Sequence, residues 1–176
     1  MIRSFSASYA GHVVDTGLGF EGTPSNDRKY SNEDLAQAFS WALDIAQHLE
    51  RLGFDELWMA EHHFQPEGYE CIPNLLMLNL YLASKTQRLR FGCGFNISPM
   101  WHPLRLAEDF AMADILTQGR VIFGVGRGYH TREVETFGSP MLDGDANREL
   151  FEEQVEIILT AFREEEFSYE GKHYKI

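Results

Sequence analysis

Between residues 31 and 162 the chain alternates between two hydrophobic patterns. Leu35, Ala38, Phe39, Ala42, Ile45, Ala46, Leu49 and Leu52 recur at helical spacing. Ser31-Asn32 offers an N-cap before them, Glu33 and Asp34 suit the first turn, and Gly53 suits the position after the last. A short apolar run, Phe54 to Ala60, predicts a strand. The same alternation returns twice. A helix is predicted over 74–84 and a strand over 89–95. A further helix starts in its first turn at Pro103 and runs to about Thr117, and a strand over 120–125 follows Gly119. The last helix is predicted from about Ala146 to Phe162, with Phe151, Val155, Ile158, Leu159 and Phe162 as its stripe. Ile2 to Ser8 reads as an opening strand and residues 11–30 as a long loop. Phe167 to Tyr174 reads as a small hairpin turning at Glu170-Gly171.

Strands that alternate with helices pair in parallel, through crossover connections. The pattern therefore predicts an α/β chain of about four βα units. A complete eight-unit barrel needs about 250 residues, more than the 176 present. The expected architecture is one domain over 1–176, the N-terminal half of a (β/α)8 TIM-type barrel. In such barrels the chemistry sits on the loops at the carboxyl ends of the strands.

Composition narrows the partners. The formal net charge is −12, which argues against nucleic acid and anionic membrane surfaces. No apolar run approaches the length of a membrane span, and no basic-then-apolar leader opens the chain. Cys71 and Cys93 form no metal or disulfide spacing. A cytoplasmic protein acting on a small molecule is the expectation.

Three strand ends carry polar, reactive side chains. After 54–60 come Glu61-His62-His63, whose neighbouring imidazoles point apart and suit proton transfer or metal ligation. A metal site needs a third ligand, for which His102 and His130 are candidates; their spacing matches no zinc signature, and no metal is assigned. After 89–95 comes Gly94-Phe95-Asn96, where glycine permits either close ligand approach or a bulge. After 120–125 comes Gly124-Val-Gly126-Arg127-Gly128, followed by Tyr129 and His130. It is neither GxGxxG nor a Walker loop. Arg127 suits phosphate or carboxylate; the competing reading is an ion pair with Glu133 or Glu135. Trp58, Met59, Met100 and Trp101 line a flat apolar pocket or belong to the core. Cys93 reads as a small core residue.

These landmarks together resemble the bacterial luciferase-like, flavin-dependent monooxygenases. The resemblance is carried by Trp58-Met-Ala-Glu-His-His-Phe64, Phe91-Gly-Cys-Gly-Phe-Asn96, His102-Pro-Leu-Arg-Leu-Ala-Glu-Asp109 and Gly119-Arg-Val-Ile-Phe-Gly-Val-Gly-Arg-Gly128, followed by Glu133 to Gly138, in the family's order. It implies a barrel that takes reduced FMN, supplied by a flavin reductase, and uses oxygen to oxidise a small organic substrate. One branch uses the deazaflavin F420 instead. It implies that His62 is the catalytic residue, moving a proton near the flavin's reactive edge. It implies a non-prolyl cis peptide at Gly94-Phe95 behind the flavin ring, and Asn96 at the flavin's polar edge. Arg127 would face the phosphate end, with Tyr129 and His130 nearby. A half barrel leaves two strand edges and apolar surface uncovered, so a homodimer that covers part of them is expected. Two alternatives stand beside this reading: a non-catalytic flavin-binding or partner subunit, and a metal-dependent hydrolase using His62 or His63 with His102 and His130.

Overall fold

A computed structural model describes residues 4–13 and 29–176. Four strands form one parallel sheet in the order β1 (Ser6–Tyr9), β2 (Glu56–Met59), β3 (Arg90–Cys93), β5 (Val121–Ile122). Two shorter strands, β4 (Asn96–Ile97) and β6 (Val125–Gly126), pair in parallel as a second sheet. Each continues the path of the strand before it. The run predicted over 89–95 ends at Cys93 and the run over 120–125 breaks after Ile122, because the backbone leaves the first sheet there and pairs again in the second, where Asn96 N donates to Gly124 O. The order β1-β2-β3-β5 follows the chain, as a barrel wall built by successive βα units requires.

The helices α1 (Asn32–Leu52), α2 (Leu75–Ala83), α3 (Pro103–Thr117), the short α4 (Thr131–Val134) and α5 (Gly144–Ala161) complete the order. Ser31 and Asp34 form the reciprocal capping box of α1, and Gly53 ends it at φ 87°. Asn74 caps α2 by accepting from Met77 N, and Pro103 opens α3. Helix α5 begins at Gly144 rather than Ala146, because Asp143 Oδ1 accepts from both Asp145 N and Ala146 N. Helix α4 lies between the strand predicted over 120–125 and the helix predicted from about Ala146, where the sequence pattern predicts no element.

Two further boundaries differ from expectation. The opening strand runs to Tyr9, because its register pairs Ser6 with Glu56 and Tyr9 with Met59; residues 1–3 and most of the 11–30 loop lie outside the described residues. The C-terminal hairpin pairs Glu170 with Lys175, so its turn centres on Lys172-His173, not on Glu170-Gly171. The Glu153 carboxylate causes this by accepting from the backbone N–H groups of Lys172, His173 and Tyr174.

The core lies between the sheet and the inner faces of α1, α2 and α3. Leu57, Phe91, Leu75, Leu82 and Leu106 are fully buried there. Beside β5 the packing is open: Phe110, Ile115, Val121, Phe123 and Phe162 line an apolar cleft of about 360 Å³. Trp58, Met59, Met100 and Trp101 do not share one pocket. Met59 is in the core, Trp58 covers Gly92, and the Trp101 indole turns towards Glu61.

Candidate active site at the strand ends

The three polar clusters meet at one end of the sheet. Backbone pairing of β2 with β3 places Glu61-His62-His63 beside Gly94-Phe95-Asn96, and β4–β6 pairing brings Arg127 to His130 alongside. His62 is 4% exposed. Its Nδ1 lies 3.1 Å from Glu133 Oε1, which also accepts from His63 N at 3.1 Å and Gln65 Nε2 at 3.0 Å. On its other side, Nε2 lies 2.9 Å from Glu70 Oε2 and 3.4 Å from the Tyr129 hydroxyl. The His130 ring stands edge-on to His62 at 5.3 Å. A cavity of about 460 Å³ opens beside this cluster, lined by Phe39, His62, His63, Phe64, Glu70 and Cys71.

The two carboxylates around His62 are driven in opposite directions. Burial raises the Glu70 pKa, and the charges of His62 and His130 offset only part of that. Burial also pushes Glu133 upward, but hydrogen bonds from His62, Gln65 and His63 outweigh it and hold Glu133 below the usual carboxylate range. Glu133 is thus a fixed acceptor that orients the His62 ring. Burial, with Glu70 and Glu133 nearby, raises the Tyr129 phenol.

A second carboxylate organises the other histidine. Glu61 is 1% exposed. Its Oε1 accepts from Trp101 Nε1 and His63 Nε2, both at 3.0 Å, and its Oε2 from Asn96 Nδ2 and Ile97 N, both at 2.9 Å. One side chain therefore ties together the loop after β2, β4 and the segment before α3.

Each residue singled out in the sequence has a place in this arrangement. The Gly94-Phe95 peptide is cis. Phe95 presents an exposed ring, while its Cβ side packs against Gly126. A Cβ on Gly124 would overlap the Cys93 carbonyl, so that glycine serves close strand approach. Asn96 is fully buried, its amide nitrogen committed to Glu61 and its Oδ1 without a partner. Among the described residues the Arg127 guanidinium makes one long contact, to Gly144 O at 3.5 Å. It pairs with neither Glu133 nor Glu135: Glu133 serves His62, and Glu135 accepts from the N–H groups of Met141 and Leu142.

Of the metal set considered from the sequence, His62 and His130 come together, but His63 and His102 are engaged elsewhere. His63 is bonded to Glu61, and the His102 ring packs edge-on against Tyr174. Sequence reasoning missed Glu61 as a hub and Glu70 altogether, and saw Glu133 only as a possible partner of Arg127. Glu61 and Glu133 carry a weak local signal, a carboxylate among apolar and histidine positions. Glu70 carries none, since only the fold brings its loop to His62.

Comparison with known proteins identifies the family. The family described as luciferase-like monooxygenase matches residues 20–176. Limonene 1,2-monooxygenase of Rhodococcus erythropolis is 33% identical over 128 residues, covering 73% of this chain and 32% of that protein. The oxygenase component of flavin-dependent trigonelline monooxygenase from Acinetobacter baylyi is 32% identical over 109 residues, covering 62% and 30%. The oxygenating constituent of 3,6-diketocamphane monooxygenase from Pseudomonas putida, solved with FMN, aligns at a TM-score of 0.73 and 25% identity, over 84% of this chain and 39% of that one. The chain thus spans between 30% and 39% of these three proteins. With a parallel βα sheet and a family match over residues 20–176, the chain belongs to the luciferase-like monooxygenase family.

Proposed function

We propose that this chain is the N-terminal half of a flavin-dependent monooxygenase that uses reduced FMN and oxygen to oxidise a small organic substrate. The observation that carries the reading is a buried, Glu133-oriented His62 at the same strand ends as Arg127, whose guanidinium makes one long contact among the described residues. A guanidinium with one long contact suits the phosphate of FMN. The exposed Phe95 ring, beside Gly94, suits the flat face of a flavin. The buried Asn96 is proposed to support that surface through Glu61, with its unpartnered Oδ1 as the atom left for a cofactor group. FMN supplies the oxygen chemistry when bound. His62 holds or moves a proton at Nε2, while Glu133 keeps Nδ1 occupied and the ring oriented. Tyr129 and His130 border the same proton-handling atom.

In a relative named as an oxygenase component, the oxygenase is one part of a larger system. We extend that arrangement here: a flavin reductase supplies the reduced FMN. A homodimer belongs to the same proposal, with Met77 and Tyr81 of α2 and Met112 of α3 as an exposed apolar surface for it. Among the described residues no helix is long and apolar enough to cross a membrane.

The test is an anaerobic titration of the purified protein with reduced FMN, followed by oxygen. Saturable binding and flavin reoxidation kinetics altered by the protein are the expected results. Binding without any altered oxygen reaction would support a non-catalytic flavin-binding subunit. Binding of F420 in preference to FMN would move the chain to the deazaflavin branch.

A further inference from the structure

The protonation pattern around His62 leaves two acceptors facing each other. Glu133 Oε1 already takes His63 N and Gln65 Nε2, so His62 Nδ1 is its third donor. A neutral imidazole that donates from Nδ1 carries a lone pair on Nε2. That lone pair lies 2.9 Å from Glu70 Oε2, also an acceptor. Despite the short distance, Glu70 Oε2 is buried and makes no aligned hydrogen bond. A proton or a metal ion shared between them resolves the clash. His130 adds a third donor: one nitrogen from each histidine and one Glu70 oxygen lie within 4.8 Å of one another. A tetrahedral ion with bonds of about 2.0–2.1 Å sets its ligands roughly 3.3 Å apart, inside this spread.

We propose that His62, Glu70 and His130 form a binding site for a borderline divalent transition ion of the zinc class. Two imidazoles and one carboxylate are the donors such ions prefer. Glu133 completes the arrangement expected around a ligating histidine, a carboxylate on the second ring nitrogen. The neighbouring cavity leaves a position open for water or a small ligand. Binding of the ion stands on these residues alone. Its consequence rests on the proposed monooxygenase reading: an ion on His62 removes Nε2 from proton handling, so the ion acts as a brake.

The experiment titrates chelator-stripped protein with cobalt(II), read by visible absorption and by paramagnetic shifts of histidine ring resonances, and with zinc by calorimetry. One-to-one uptake at micromolar metal, with both His62 and His130 resonances shifted, is expected. Glu70→Gln and His130→Ala each weaken uptake about tenfold or more, Glu133→Gln by about 10- to 100-fold, and His102→Ala leaves it unchanged. The ring shifts in the unmutated protein decide the matter if a variant does not fold. No saturable uptake, or uptake indifferent to Glu70 and His130, overturns the site. So does a His62 ring protonated on both nitrogens with cobalt present, since the positive group is then a proton. Flavin binding is measured separately, so failure of one idea is distinguishable from failure of the other.

Discussion

Replacing Glu61 by Gln tests whether this buried carboxylate is the hub of the strand ends. The substitution keeps the shape and exchanges one acceptor oxygen for an NH2 group. In one orientation that group faces Trp101 Nε1 and His63 Nε2; in the other it faces Asn96 Nδ2 and Ile97 N. His63 can accept by changing tautomer, and Asn96 by turning its unpartnered Oδ1 inward. Neither the indole N–H of Trp101 nor the backbone N–H of Ile97 can accept. Every orientation thus leaves one donor unmatched in a site where water is excluded, at about 1–3 kcal/mol. For a chain of this size that is a loss of roughly 2–12 °C in melting temperature. Urea unfolding of wild type, Glu61→Gln, Trp101→Phe and the double variant gives the coupling directly. With the indole donor removed, the new NH2 group can face that side, so Glu61→Gln costs at least about 1 kcal/mol less in the Trp101→Phe background. Stability of Glu61→Gln within about 0.5 kcal/mol of wild type, or strict additivity of the pair, would refute the reasoning.

Other outcomes follow from single features. Gly92→Ala places a methyl inside the Trp58 ring and lowers stability by about 1–3 kcal/mol, whereas Gly144→Ala, with open space around it, is neutral or stabilising by up to about 1 kcal/mol; thermal melts of the two compare them. Cys93 is fully buried and its thiol is pushed far up, first by burial and then by Glu61, so it stays unlabelled by iodoacetamide in native protein and reacts only in denaturant; stoichiometric native labelling would contradict its core position. Burial raises Glu50, but the N–H groups of Arg88, Leu89 and Gln87 outweigh it, leaving its folded pKa below the ordinary 4.5. Its stabilisation is therefore present above pH 4.5 and lost as pH falls through the folded value, so the deficit of Glu50→Gln seen at pH 7 shrinks in acid unfolding. Under the proposed function, His62→Ala lowers turnover more than FMN binding, and Arg127→Ala weakens FMN more than riboflavin; equal weakening of the two flavins would remove Arg127 from phosphate recognition.

The sequence by itself determined the order of the elements and the end of the sheet where the polar strand-end clusters gather. That information is local. Helical periodicity, the Ser31 cap, Gly53 and Pro103 act within a few residues of where they stand, and strands between such helices must run parallel. It also determined which strand ends carry His62, Gly94-Phe95 and Arg127. Tertiary structure alone decided the partners. Glu133 reaches His62 across 71 residues and Glu61 reaches Trp101 across 40, distances over which no periodicity speaks. It decided that Asn96 turns inward to a carboxylate and that Arg127 is left without one among the described residues. It also decided that the two predicted strands at 89–95 and 120–125 break after Cys93 and Ile122. A buried polar atom takes whichever partner the packed backbone brings within about 3 Å, and that geometry exists only once the sheet has formed.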